Sequence, residues 1–162
     1  MSTQREMRKI DRKVTDPVII NGIIAQMDAI RIGFFDGDEV YIVPLSFGFE
    51  ETEGRYTFYM HGAKAGRKAD LVRQCGKAGF ELDKTIRVQT DPQACDHTVT
   101  YNSVIGHGAI SEVKDLDEKC HALNAIMKQN TGNAEWDYPD KMLQATFVMK
   151  LTADWITCKV HE

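Results

Sequence analysis

Between Thr98 and Val113 the sequence alternates over a stretch far longer than the usual strand of about five or six residues, and it carries Gly106 and Gly108 within it. Glycine inside a strand marks a bulge or a sharp bend, the device that turns a sheet around the corner of a barrel. A chain holding such a strand is predicted to curl its sheet.

The rest of the chain supplies more strands and few, short helices. Ile30–Phe34 and Val40–Leu45 read as a hairpin, with Asp36-Gly37 as its turn signal. Tyr56–Met60 follows a turn at residues 51–54, and Ala78–Leu82 is the next strand. Residues 84–98 are polar and carry no clear pattern. Two last strands are expected, Ala145–Leu151 and Ile156–Val160, the first with Ala145, Phe147, Met149 and Leu151 on one face. Pro44 cannot donate to a ladder, so it marks an edge or a bulge. Asp16-Pro17 reads as an N-cap and first turn, and Ile19, Ile20, Ile23, Ile24 and Met27 give its helix one buried stripe. A short helix from about Gly66 to Cys75 buries Leu71, Val72 and Cys75. Another, from Asp115 to about Lys128, turns Leu116, Cys120, Leu123 and Met127 inward. Residues 130–141 form a loop in which Trp136 and Tyr138, like Trp155 further on, read as core or interface aromatics. The fold class is mainly β, an antiparallel barrel with a few helices. No internal repeat or linker divides residues 1–162, which are expected to form one domain. Residues 1–13, with Arg5, Arg8, Lys9, Arg12 and Lys13, form a charged N-terminal arm, mobile or ordered against a partner.

With 43% hydrophobic residues the chain can build a core, and its net charge of -4 with a pI near 5.7 argues against nucleic acid or an anionic membrane as partner. No apolar run is long enough for a membrane helix. The four cysteines form no CxxC pair and no signal-peptide pattern opens the chain, which predicts a reducing cytoplasm. Cys95-Asp96-His97 lacks a second ligand pair, so no metal is expected. The chain has no Gly-x-Gly-x-x-Gly fingerprint and no Gly-x-Ser-x-Gly elbow, which argues against a Rossmann dinucleotide site and an esterase.

Against this acidic background the stretch from Phe58 to Val72 is distinctive. A run of aromatics reaches His61, and small residues then open a helix with Lys64, Arg67 and Lys68 at its entrance. The helix dipole disfavours cations there unless an anion sits among them, and a phosphate would meet both the free backbone N–H groups and the side chains. A solvated basic face is the alternative reading.

Four stretches resemble, in order, the pyridoxamine 5′-phosphate oxidase-like FMN-binding split barrels, and within them the nitroimidazole-resistance (nitroimidazole reductase) family. They are Arg5–Lys9, Val43-Pro44-Leu45-Ser46-Phe47, His61-Gly62-Ala63-Lys64-Ala65-Gly66-Arg67-Lys68, and Tyr101–Gly108 with Ser103-Val104. The chain departs from that family's pattern at Gly62, often serine, and at Thr157-Cys158-Lys159, often Thr-Gly-Lys. The resemblance implies a homodimer with FMN at the subunit interface. It implies flavin contacts from Val43, Pro44, Leu45, Ser46, His61, Ala63, Lys64, Arg67, Lys68 and Ser103, with His61 the catalytic candidate. It also implies an oxidoreductase that carries electrons from a small-molecule donor to an acceptor such as a nitroaromatic compound. A flavin- or haem-binding protein without turnover and a pyridoxamine phosphate oxidase-like activity are the alternatives on the same fold.

Overall fold

The computed structural model describes residues 5–162. The first four residues of the charged arm lie outside that range. The arm's far end is tied down: a 3-10 turn at Ile10–Arg12 leads into β1 (Lys13–Val14), which pairs with the last strand through Lys13–Lys159 and Val14–Cys158. The cysteine that stands where the family often has glycine is therefore a core residue. Burial pushes its thiol up to about 11.

The helix α1 (Pro17–Ile24) starts where Asp16-Pro17 predicts, and the Asp16 carboxylate accepts from the Val18 N–H at 2.8 Å. Ile20, Ile23, Ile24 and Met27 are buried, but Ile19 is exposed, because the helix meets the barrel along a narrower stripe than the sequence suggests. The hairpin of β2 (Ile30–Asp36) and β3 (Glu39–Leu45) turns at Gly37-Asp38, where Gly37 takes φ 69°. A strand absent from the sequence reading, β4 (Phe47–Thr52), pairs with β5 (Arg55–Gly62). Then come α2 (Arg67–Cys75), β6 (Lys77–Gln89) and β7 (Thr98–Val113). The patternless residues after 84 prolong β6 and include a 3-10 turn at Ala94–Asp96. The chain ends with α3 (Leu116–Thr131), α4 (Asp140–Ala145) and β8 (Phe147–His161).

The eight strands form one antiparallel sheet in the order β3-β2-β6-β7-β8-β5-β4, with β1 on β8. β3 and β4 stand at opposite ends of this order, yet Ser46 alone separates them in sequence. The sheet therefore has to curl until its ends meet at Ser46. Phe34, Phe47, Phe58, Phe147, Met60, Leu82, Met149 and Leu151 fill the interior. The two last strands expected from the sequence are one strand, and Ala145 belongs to α4. The break between them is a bulge: Trp155 pairs with His107 and Ala153 with Gly108, so Asp154 is left without a partner.

The fully buried residues of α3 are Lys119, Ala122 and Ile126, and Leu123 packs partly buried against the same cluster as expected, whereas Leu116, Cys120 and Met127 are only partly covered. The helix lies directly on Gly48 of β4, where a Cβ would run into the backbone of Ala125 and Ile126, and this approach selects its small-residue face. Lys119 is only 5% exposed, and its ammonium donates to the carbonyls of Leu143 (3.0 Å) and Thr146 (2.8 Å), closing the end of α4. Burial first, and the charge of Lys64 second, lower its pKa. Lys119→Met should cost about 1–2 kcal/mol in chemical denaturation, because the Thr146 carbonyl loses the ammonium and the Leu143 carbonyl keeps only the long contact from the Thr146 N–H. Amide exchange should quicken across α4. Unchanged exchange there would show that α4 is held by packing alone.

Candidate functional site

β5 carries Phe58 and Met60 into the barrel and leaves His61 at its exposed end, opposite Val148 of β8. The surrounding protein, and then the ammonium of Lys68, hold the His61 imidazole below its ordinary pKa. Lys68 reaches back from α2 over Gly62, where a Cβ would collide with its Nζ. The departure at position 62 thus places an ammonium beside the histidine.

Continuing the β4–β5 register one residue past Phe47–Met60 sets Ser46 across from His61. Val43 and Leu45 pack toward the core, while Pro44 and Ser46 are exposed. Pro44 lies on β3, an edge strand where a residue without an N–H is tolerated, and pairs with Arg31 of β2. The seam where the barrel closes therefore carries Val43, Pro44, Leu45, Ser46 and His61, with Ala63, Lys64 and Lys68 on the segment that leaves it.

The first turn of α2 has no side-chain cap. Gly66 precedes it at φ 108°, and the first amide to bond within the helix is Asp70 to the Gly66 carbonyl at 3.1 Å. The N–H groups of Arg67, Lys68 and Ala69 are thus the orphan donors of a helix start. Among the described residues neither Lys64 nor Lys68 makes an ion pair. The Lys64 carbonyl is fixed by Arg73 Nη1 at 3.1 Å, and Arg73 is itself held by Glu112 at 2.9 Å.

One residue departs from the sequence expectation. Arg67 is already neutralised: its guanidinium meets Asp36 at 2.8 Å and Glu39 at 2.7 Å and lies 4.7 Å from the Tyr41 ring centroid. It clamps α2 to the β2–β3 hairpin. The counter-ions flank the hairpin turn, far away in sequence, so only the fold reveals them. Ser103 lies across the sheet from the seam: Pro44 pairs with Arg31, Arg31 with Glu81 and Glu81 with Ile105, so Ser103 sits two residues from the level of Pro44 and three strands, roughly 14 Å, around the barrel.

A curled antiparallel sheet with its seam at Ser46, and a helix start beside it, defines a split barrel. The chain belongs to the pyridoxamine 5′-phosphate oxidase family, whose model matches residues 20–160. Among solved structures it is similar to a protein proposed to confer 5-nitroimidazole antibiotic resistance, from Bacteroides thetaiotaomicron. The two are 28% identical with a TM-score of 0.77, over 91% of this chain and 86% of that one. The flavocytochrome of Azotobacter vinelandii shares the fold at 18% identity and a TM-score of 0.75, over 97% and 72% of the two chains. The FAD and haem binding protein of Mycobacterium smegmatis shares it at 15% identity and 0.77, over 93% and 74%. No curated protein matches the chain. No described helix is long and apolar enough to cross a membrane.

Proposed function

We propose that the chain is an FMN-dependent oxidoreductase that reduces a small organic acceptor such as a nitroaromatic compound. The observation that carries this reading is the uncapped start of α2 beside Lys64 and Lys68. A mononucleotide phosphate would supply the anion that those donors and cations lack. The exposed residues Pro44 and Ser46 would give the flavin ring an approach at the seam, with His61 across from Ser46. Bound FMN would take electrons from a reduced donor and give them to the acceptor. The protein's share is to hold the phosphate, orient the ring and place the His61 proton at the seam.

The reading includes a homodimer. Phe35, Val40, Ile42 and Ile105 are exposed on the outer face of β2, β3 and β7. Gly33 and Gly79 face each other across β2 and β6 on that side, beside a groove of about 450 Å³. A Cβ at either would meet only ordinary contacts within the chain, at 3.9 Å or more, whereas Gly48, Gly106 and Gly108 are each required by their own chain's backbone or side chains. Mid-strand glycines without an internal reason fit the close approach of another molecule.

The phosphate assignment is tested by comparing FMN with riboflavin, which lacks the phosphate. Wild type should bind FMN far more tightly, and the Lys64→Ala/Lys68→Ala variant should lose about ten-fold or more of FMN affinity while its riboflavin affinity hardly moves. Equal loss for both ligands, or none for FMN, would place the phosphate elsewhere.

A further inference from the structure

His107 lies at the middle of β7 with both ring nitrogens engaged. Trp155 Nε1 can only donate, and it meets His107 Nε2 at 2.8 Å. Nε2 must then be the bare acceptor, and Nδ1 carries the hydrogen toward Asp154 Oδ2 at 3.2 Å. Asp154 is in position because it is the bulge residue between the Trp155–His107 and Ala153–Gly108 pairs. A bulge of this kind re-aims one side chain. The Trp155 ring stands edge-on to the imidazole, with centroids 4.9 Å apart. Trp155 also walls two cavities, the outer-face groove beside Gly33 and Gly79 and a second of about 400 Å³ beside Asp154.

We propose that His107 is a proton-operated latch on Trp155, and that opening it weakens the docking of a second copy on this face. The docking half rests on the dimer reading above. A proton arriving at Nε2 turns the acceptor into a donor. Two N–H groups then oppose each other at hydrogen-bond distance, and Trp155 has to release. Asp154 stays paired with the imidazolium. The other groups facing this point are few. Gly79 stands opposite on β6 and offers no side chain. Glu81, on the same outer face, is engaged with Arg31 at 3.0 Å. Glu53 and Arg55, from the β4–β5 turn, line the cavity beside Asp154. When Trp155 leaves, the groove loses an aromatic wall, the kind of residue on which interface affinity concentrates.

The experiment follows Trp155 emission and molar mass together across the imidazole titration range, in a Trp136→Phe background so that one tryptophan reports. Acidification should shift the emission, and the dimer dissociation constant should rise by about ten-fold or more over the same interval. His107→Gln keeps an acceptor for Trp155 and does not titrate, so both transitions should vanish while the fold and the neutral-pH dimer remain. An emission shift that survives in His107→Gln overturns the latch. So does a nitrogen-15 spectrum placing the neutral imidazole's hydrogen on Nε2. A mass that holds steady through the emission shift overturns the coupling and leaves the dimer reading standing. A monomer at every pH removes the dimer reading itself, without touching the flavin assignment, which is measured by ligand affinity.

Discussion

Replacing His61 with alanine is expected to leave FMN bound and to slow its reoxidation by an organic acceptor by about a hundred- to ten-thousand-fold, the usual contribution of a positioned general acid. The expectation comes from its place across from Ser46 at the seam, with the Lys68 ammonium alongside. It carries a pH signature. The neighbouring protein and Lys68 lower the His61 pKa, so at neutral pH the ring is mostly neutral. If the imidazolium is the donor, the wild-type rate rises as pH falls and levels off below that lowered pKa, while the alanine variant stays flat. The same shift has a stability sign. The unfolded chain takes this proton at a higher pH than the folded one, so acidification through the ordinary imidazole range lowers stability. Stopped-flow reoxidation of pre-reduced protein separates the roles. A variant with full flavin and a rate within a factor of about two of wild type would remove His61 from proton transfer, since a general acid contributes far more.

The second large effect is structural. Gly48→Ala should cost at least about 3 kcal/mol, because its Cβ meets backbone on α3 and not a side chain that can swing aside. In a domain of this size that corresponds to a fall in Tm of roughly 6–12 °C. Gly33→Ala is the matched control: its Cβ has room, with nothing nearer than 3.9 Å. Alanine also suits a strand better than glycine, so the monomer should be no less stable. Equal losses at the two positions would mean that α3 can lift off β4, and that its packing does not fix the phase of the helix.

These two glycines show what the sequence could and could not convey. Local signals were legible: Asp16-Pro17 at the start of α1, the turn at Gly37, the paired glycines of β7, and the small-residue loop before α2. Each acts within a few residues and depends on backbone chemistry. The phase of α3 was only partly legible: Leu123 packs inward as its spacing suggests, but the apolar spacing of Leu116, Cys120 and Met127 competes with a steric demand made by Gly48 on another strand. β4 escaped notice because Gly48 and two glutamates interrupt its apolar alternation. The cation cluster was read correctly as a helix entrance, but the counter-ions of Arg67 come from the β2–β3 hairpin, so two lysines rather than three cations are left without carboxylate partners. The Asp154 bulge looked like a gap between two strands because the extra residue shifts the alternation by one.

FMN is proposed to bind at the seam with its phosphate at the start of α2. The most direct test of this is the visible absorption of the protein after reconstitution with FMN and gel filtration. Flavin should co-elute at one per chain, with its bands shifted from those of free FMN, and Lys64→Ala/Lys68→Ala should show a clear loss of retained flavin. Flavin that elutes entirely free, retention indifferent to both lysines, or a protein that takes up haem with a Soret band and no flavin would contradict it.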